Sequence, residues 1–359
     1  MHASAIPDDF IYSGSPFDFV VIGEGEKALL NICQGKIKST GEPRKIVGGR
    51  LDLNNIPAPN FKEYKYFYPR ETRTVLYALS RGCPFFCSFC IESVKNKSDY
   101  RYISIKRAIR NIQGMVSCLG VRRIKFIDAC FGVRKEWRKE FLKKLDKEKI
   151  KAVFELETRI DLLDMEDIDL LSKLNIRNLY LGIEHASSRM LSLMHKTKDA
   201  QTYLENAKKV IKYLNEKDIP NILLFIFNHP GETKDSIQEA IRFLDSTLSK
   251  LKRISTTLYA HNYLFTPGTS TYQNIRKYEK EFGTVVKHKT WWKEPYFEQQ
   301  DLADKILPSK DLYDDNERDA WKKYFYDMQQ LCLMRKSDNF LAFDMGCRIL
   351  LGNRRFNPV

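Results

Sequence analysis

Short apolar runs alternate with amphipathic segments from about residue 74 to residue 272, and this alternation constrains the fold of the 359-residue chain more than any other feature. We predict strands at 75–79, 124–127, 152–156, 179–183, 222–227 and 257–264. The helices predicted between them are at 105–115, 137–145, 165–174, 203–214 and 236–244. Nearly continuous apolar strands joined through helices indicate a parallel sheet with right-handed crossovers. Six strands are too few to close an eight-stranded barrel, so the expected fold class is α/β, an open, partial (β/α)6 TIM-like barrel.

Different patterns flank this region. A strand at 19–22, the turn Gly23-Glu24-Gly25-Glu26 and a helix through Leu29 and Leu30 form a Rossmann-like unit, followed by a polar, proline-containing connector. Beyond Tyr272 the periodicity fails, and helices are predicted at about 317–334 and 339–351. The domains expected are therefore a front unit with its connector (1–60), a core (70–272) and a mostly helical C-terminal region (273–359).

Composition narrows the classes of protein. Hydrophobic residues make up 43% of the chain, which argues against disorder. The net charge of +14 suits an RNA, an acidic peptide or a nucleotide, and lysine-rich solvated helix faces explain it as well. No stretch approaches the ~18 apolar residues of a membrane span, and residues 1–9 lack a secretory pattern. We therefore expect a cytoplasmic protein without a membrane partner.

Three of the eight cysteines, Cys83, Cys87 and Cys90, lie in one segment, SRGCPFFCSFC (80–90), just past the first predicted strand. Thiolates suit iron, and three of them can hold one side of an iron–sulfur cluster. Three ligands for four irons leave one iron open, which is typical of a catalytic metal. Zinc is the alternative, but a fourth Cys or His is not close in sequence. The other cysteines are expected to be core or incidental thiols: Cys33, Cys118, Cys130, Cys332 and Cys347.

The CxxxCxxC spacing, the preceding Ser-Arg-Gly and the aromatic residue before the last cysteine resemble the radical S-adenosylmethionine (SAM) superfamily. The resemblance implies that Cys83, Cys87 and Cys90 bind a [4Fe–4S] cluster whose open iron is chelated by SAM. It also implies reductive cleavage of SAM to a 5′-deoxyadenosyl radical, with a flavodoxin- or ferredoxin-type protein as external electron donor. The nearby aromatic residues are expected to shield the site, and Phe89 to line the cofactor site: Phe85, Phe86 and Phe89.

Further motifs of that family are found at the ends of the predicted strands. Asp128 matches the first residue of an acidic pair and is expected to bind the SAM amino group, although Ala129 replaces the second acid. Arg159, in Glu-Thr-Arg-Ile-Asp, is expected to face the SAM carboxylate or a substrate. Glu184, in Gly-Ile-Glu-His, is expected to accept hydrogen bonds from the ribose hydroxyls.

The loop Asn228-His229-Pro230-Gly231-Glu232-Thr233 resembles the family's Gly-x-Pro-Gly-Glu-Thr loop, which places Asn228 near the adenine. Asn tolerates left-handed backbone angles, so the turn is expected to survive the replacement. Glu232 and Thr233 are expected to begin the next helix, where negative charge is favourable. Each acid at a strand end also has a purely structural interpretation as a cap or salt bridge. Their shared position, where barrel active sites gather, favours function.

The chain resembles most the branch of the superfamily that carries a cobalamin-binding domain in front. Residues 2–8 and 18–26 resemble the closing part of such a domain, but the cobalamin-ligand motif Asp-x-His-x-x-Gly is absent from the sequence. Three explanations stay open: a fragment with a misplaced start, a partnership with a separate cobalamin-domain protein, or an enzyme that works without cobalamin. Without further strands, residues 20–22 would form an unprotected edge strand.

The expected function is that of a radical SAM enzyme, with cobalamin-dependent methyl transfer as the leading reaction. The alternatives are cobalamin-independent rearrangement or oxidation, and tRNA methylthiolation, which the absence of a second cysteine cluster and an RNA-binding module disfavours. A non-catalytic iron–sulfur protein is a different class, and it has no use for a ribose-binding acid. Four aromatic residues are candidates for substrate contacts or for packing of the C-terminal region: Trp291, Trp292, Tyr296 and Phe297.

Overall fold

The computed structural model describes residues 2–63, 74–92, 99–249, 251, 255–293, 306–314 and 323–330. The chain divides into two compact units, Met1–Ala152 with Thr266–Gln273, and Val153–Phe265 with Asn274–Val359. Of the helix predicted at 317–334, residues 323–330 are described and are helical. The helix predicted at 339–351 lies outside the described residues, as do four side chains considered above: Tyr296, Phe297, Cys332 and Cys347.

The front of the first unit consists of α1 (His2–Ala5), β1 (Phe19–Ile22), α2 (Glu26–Cys33) and β2 (Arg44–Val47). Strand β1 and helix α2 lie where the sequence predicts them. Strand β2 pairs in parallel with β1 and falls in the segment that we predicted as irregular connector. Its four residues, Arg-Lys-Ile-Val, are too few to establish an alternating pattern. One edge of β1 is therefore covered, and in this two-stranded sheet of the described residues β1 is an edge strand, as expected.

The rest of the first unit carries β3 (Thr74–Tyr77), β4 (Ser80–Arg81), β5 (Arg101–Tyr102), α3 (Ile105–Leu119), β6 (Arg123–Phe126), α4 (Lys135–Lys147) and the short helix Ser270–Gln273. Strands β3 and β6 pair in parallel, whereas β4 and β5 form a small antiparallel ladder. Helix α3 begins at an N-cap, Ser104, and ends at Gly120 in the left-handed conformation. Its apolar face is buried, as amphipathic spacing requires.

The second unit carries β7 (Val153–Arg159), α5 (Met165–Leu171), β8 (Ile176–Glu184), α6 (Ser188–Leu193), α7 (Ala200–Glu216), β9 (Asn221–Phe227), α8 (Lys234–Leu244), β10 (Thr256–Asn262), α9 (Ile275–Phe282), β11 (Val285–Val286) and β12 (Ile306–Leu307). Strands β7, β8, β9 and β10 lie side by side in parallel. Buried leucines line one face of this sheet, for example Leu179, Leu181 and Leu223. Helices α6 and α9 were not predicted.

The structure has an open, parallel sheet of six strands. This confirms the predicted α/β class and the partial, open barrel. The structure does not test the predicted division into a front unit, a core and a C-terminal region. Within the described ranges, no helix has the length and apolar character that crossing a bilayer requires.

Candidate active site

The three clustered cysteines of the first unit lie in the loop that follows β4. Cys83 and Cys87 are buried, with 9% and 8% exposure, and Cys90 is half-buried. The backbone N–H of Cys90 donates to the carbonyl oxygen of Cys87 over 3.1 Å, which makes a tight turn between these two thiols. Gly82 has a φ of +83°, a left-handed conformation that favours glycine directly before Cys83.

Cys130 is in contact with Cys83, an arrangement that the sequence did not indicate. The hydrogen bond between the two thiols raises the pKa of Cys83, and burial of Cys83 raises it further. Both cysteines are buried. The Cys83 thiol therefore stays protonated at neutral pH until a cation stabilises the thiolate. Cys130 is 2% exposed and is therefore a core thiol, one of the two roles expected for it, and it contacts Cys83.

The middle of the cysteine loop is fixed by Thr271, from the segment after β10. The Thr271 N–H donates to the carbonyl oxygen of Ser88 over 2.9 Å, and the two hydroxyl oxygens are 3.0 Å apart. Both residues are buried. Phe89 is half-buried in the same loop. Phe86 is 60% exposed, and its expected role in shielding the site stays a prediction.

Asp128 lies at the end of β6 and is buried in the first unit. Its carboxylate accepts hydrogen bonds from the Leu79 N–H, at 3.2 Å, and from the Ser80 hydroxyl. Burial raises the pKa of Asp128 to about 6, although the hydrogen bonds from Ser80 and Leu79 oppose the rise. In this structure Asp128 fixes the chain just before the cysteine loop, and its expected contact with the SAM amino group stays a prediction.

A [4Fe–4S] cluster fits the thiols better than a zinc ion does. In the described part of the chain, no three His, Cys, Asp or Glu side chains converge closely enough to share one metal ion. A zinc ion needs such convergence, with a fourth ligand to complete a structural site. In a four-iron cluster each thiolate binds its own iron, so three thiols of one loop do not have to meet at a point.

Arg159 ends β7 in the second unit, where it is held by its neighbours. Its Nε and Nη2 donate to the two carboxylate oxygens of Asp161 over 3.0 and 2.8 Å, a bidentate pair. Nη2 also donates to the carbonyl oxygen of Lys196 over 2.6 Å. The guanidinium is buried, and these partners fix its orientation.

Glu184 ends β8 with a φ of +72°, where the register between β8 and β9 shifts. Its Oε1 is 2.9 Å from Nζ of Lys196, whose side chain is almost completely buried. The carboxylate lies over the backbone of Gly182, where a Cβ atom would come within 2.5 Å of Oε1. Only glycine leaves room for the carboxylate at this position, and Lys196 is a site residue that the sequence motifs did not reveal.

Glu232 connects the ends of β8 and β9. Its Oε1 lies 3.0 Å from Nε2 of His185, and its Oε2 accepts from the Asn228 N–H over 2.9 Å. Because Nδ1 of His185 accepts from the Ser187 N–H, Nε2 carries the proton and donates to Glu232. The Glu232 side chain is completely buried. It therefore holds a loop, and the expectation that it serves as a charge at the helix N-terminus is wrong.

The helix cap at the start of α8 is formed by Thr233 instead, whose side chain accepts from the Ser236 N–H in a capping box. Asn228 has a φ of +55°, so the prediction that asparagine accepts the left-handed turn is confirmed. Its side-chain amide donates to Oδ1 of Asn262 over 2.6 Å. This contact joins the ends of β9 and β10.

His229 follows Asn228 and is completely buried. Burial lowers its pKa to about 3, so the ring is neutral at physiological pH. Nδ1 lies 2.9 Å from the Pro230 carbonyl oxygen, to which it donates, and the ring meets Tyr263 edge-on at 4.8 Å between centroids. His229 is thus a neutral side chain that packs inside the loop. The sequence motifs did not indicate it as a site residue.

The predicted site residues fall into two groups. One group is in the first unit, Cys83, Cys87, Phe89, Cys90 and Asp128, and the other is in the second, Arg159, Glu184 and Asn228. Every member lies at or just beyond the carboxyl end of a strand, as predicted. Trp291 donates from Nε1 to the Phe265 carbonyl oxygen over 2.8 Å, a contact that supports packing.

Residues 77–244, which include the cysteine loop and Asp128, Arg159, Glu184 and Asn228, match the family model described as the Radical SAM superfamily. The match confirms the resemblance to this superfamily that the sequence motifs indicate. The cofactors of this superfamily are a [4Fe–4S] cluster and SAM.

Two relatives illustrate where in the superfamily the similarity lies. An "Uncharacterized methyltransferase PH0819" of Pyrococcus horikoshii is 25% identical over 261 residues, 67% of this chain and 56% of the relative. The "Anaerobic magnesium-protoporphyrin IX monomethyl ester cyclase" of Cereibacter sphaeroides is 27% identical over 278 residues, 67% of this chain and 43% of the relative. The chain spans about half the length of the curated relatives it matches.

A solved structure agrees on the fold. The cobalamin-dependent S-adenosylmethionine radical enzyme OxsB, with aqua-cobalamin and S-adenosylmethionine bound, superimposes with a TM-score of 0.64. The match covers 84% of this chain and 49% of OxsB, at 15% sequence identity. At that identity the comparison establishes the shared fold.

Proposed function

We propose that the chain binds a [4Fe–4S] cluster through Cys83, Cys87 and Cys90 and uses it to cleave SAM reductively. The observation that carries this proposal is the cysteine loop itself. It holds three thiols, two buried and one half-buried, just past β4 in the segment that matches the radical SAM family model. When bound, the cluster supplies a low-potential electron to the SAM sulfonium.

The strand-end residues are proposed to bind SAM. Lys196 contacts Oε1 of Glu184 and so fixes the plane of the carboxylate, which supports Glu184 as an acceptor for the ribose hydroxyls. Asp161 and the Lys196 carbonyl orient the guanidinium of Arg159, which suits recognition of a carboxylate. Asn228, fixed by Glu232 and Asn262, is proposed to lie near the adenine. Asp128 is proposed to bind the amino group, and Phe89 to line the site.

For the reaction class, we propose methyl transfer. One relative is named a methyltransferase, and residues 2–8 and 18–26 resemble part of a cobalamin-binding domain. The proposed core spans 70–272, and a flavodoxin- or ferredoxin-type protein is the proposed electron donor. The other relative is named a cyclase, and ring formation is therefore the alternative to methyl transfer.

The test is anaerobic reconstitution with iron and sulfide, followed by addition of SAM and dithionite and measurement of 5′-deoxyadenosine. We expect product that depends on the reductant and is lost in Cys87→Ala. Cys118→Ala, which removes a half-buried thiol on α3, is the matched control and should retain the product. An intact cluster without 5′-deoxyadenosine would contradict the proposed cleavage.

Cobalamin separates the reaction classes. Reconstitution with hydroxocobalamin, reduction to cob(I)alamin with titanium(III) citrate, and addition of SAM that carries a deuterated methyl group should produce deuterated methylcobalamin and S-adenosylhomocysteine if methyl transfer runs through cobalamin. Cleavage of SAM without any methylcobalamin would favour the cobalamin-independent alternative.

A further inference from the structure

Glu24, the first acid of the Gly-Glu-Gly-Glu turn after β1, is the centre of a polar cluster in the first unit. Its Oε1 is paired with Nη2 of Arg101, and its Oε2 lies 3.4 Å from Nη1 of Arg81. Oε2 also accepts from the Leu51 N–H over 3.3 Å. The side chains of Glu24 and Arg101 are each 12% exposed, so this carboxylate is largely removed from water.

The two arginines need this acid because of their positions in the ladder. Arg81 on β4 lies directly opposite Arg101 on β5. Like charges opposite each other in an antiparallel pair are destabilising. Glu24 contacts both guanidinium groups, and Glu26 adds a second pair to Arg81 at 2.5 Å. The turn after β1 therefore neutralises the charge of a ladder that is distant in sequence.

The backbone of the turn is itself held by the end of β2. The Gly48 N–H donates to the Ile22 carbonyl oxygen over 2.8 Å. A Cβ atom at Gly48 would come within 1.9 Å of the Glu24 carbonyl oxygen, so only glycine permits this approach. Strands β1 and β2 together thus determine where the Glu24 carboxylate lies.

Arg81 is separated from Cys83 only by Gly82, so whatever fixes Arg81 fixes the start of the cysteine loop. The other anchors described above act further along the chain, Asp128 on Leu79 and Ser80, and Thr271 on Ser88. We infer that the front unit, residues 19–51, positions the cysteine loop, and that Glu24 is the positioning residue that acts through Arg81 and Arg101. The importance of this loop for catalysis rests on the proposed function, whereas the mechanical coupling does not.

The test is hydrogen–deuterium exchange on the full chain without a cluster, which reports on the loop independently of cofactor and activity. In Glu24→Gln, the amides of residues 79–90 should exchange roughly tenfold faster, because local opening then no longer breaks the charged pairs of Glu24 with Arg81 and Arg101, although Arg81 keeps Glu26 and Arg101 keeps Asp99. Asp8→Asn is the matched control, since it removes an ion pair with Lys45, a residue of the same 19–51 segment, and this pair does not reach the loop. Its exchange at 79–90 should equal that of the wild type.

Faster exchange confined to residues 19–51 in Glu24→Gln would overturn the inference. If this variant does not fold, Glu24→Asp retains the charge and shortens the reach by one methylene. It should then show an intermediate increase at 79–90, and an unchanged loop in that variant would equally overturn the inference. In the reconstituted protein, iron loss to a chelator should be faster for Glu24→Gln than for Asp8→Asn, a readout that needs no turnover. Equal rates of loss would contradict a role in cluster retention.

Discussion

The strand ends of the second unit and the cysteine loop of the first unit are held in place by different means. In the second unit, acids with little exposure pair with buried partners of the same unit, Glu184 with Lys196 and Glu232 with His185. In the first unit, the loop is fixed by segments distant in sequence, through Asp128, Thr271 and Glu24. We therefore expect the second unit to be organised without cofactor, and the loop to depend on its anchors and its cluster.

Removal of the Glu232 carboxylate should have the largest effect on stability. Glu232→Ala leaves the buried His185 N–H and Asn228 N–H without their acceptor. We expect the free energy of unfolding to fall by about 4 kcal/mol, since hydrogen bonds to a buried charge contribute about 1.5–3 kcal/mol each. Urea unfolding measures it, with the exposed Glu205→Ala on α7 as the control, expected within about 0.5 kcal/mol of wild type. A loss as small as that of the control would show that the strand ends are not held by this acid.

The pH dependence of Asp128 tests the first unit. Burial raises its pKa to about 6, so the protonated form is favoured by folding. This contribution is complete below the unfolded pKa, about 4, and is lost as the pH rises through 6. Relative to Asp128→Asn, the wild type should lose roughly 2 kcal/mol of stability between about pH 4 and pH 7. Urea unfolding of both proteins across this range measures it, and a constant difference would contradict the shift.

A smaller effect is expected for Lys196→Met, which keeps the volume of the side chain and removes the cation beside Glu184. If Lys196 fixes the carboxylate for the ribose, the dissociation constant for SAM should rise about tenfold, the loss of one charged hydrogen bond. Calorimetry on the reconstituted protein measures it. Lys212→Met on the exposed face of α7 is the matched control. If Lys196→Met binds SAM as tightly as the wild type does, the proposed contact between Glu184 and the ribose is contradicted.

The features that could be predicted from the sequence are those that a local residue pattern defines. Strands and helices of the sheet follow from apolar periodicity, and the candidate residues follow because strand ends are visible in the chain. Strand β2 and helices α6 and α9 were not predicted, because their segments are too short to show a clear periodicity.

The partners of the site residues were not predictable, because no local pattern marks them. Lys196 lies 12 residues beyond Glu184, Glu232 lies 47 beyond His185, and Arg101 lies 77 beyond Glu24. Only the folded chain brings these charges together. For the same reason we expected Glu232 to act at a helix terminus, whereas its buried carboxylate links two strand ends.

The central claim is that the three cysteines hold a four-iron cluster with an open iron that binds SAM. Electron paramagnetic resonance of the reconstituted, dithionite-reduced protein, with and without SAM, tests it most directly. We expect a [4Fe–4S]⁺ signal that changes when SAM is added, and no such signal in Cys87→Ala. A signal that SAM leaves unchanged, or a protein that retains zinc and no iron, would contradict it.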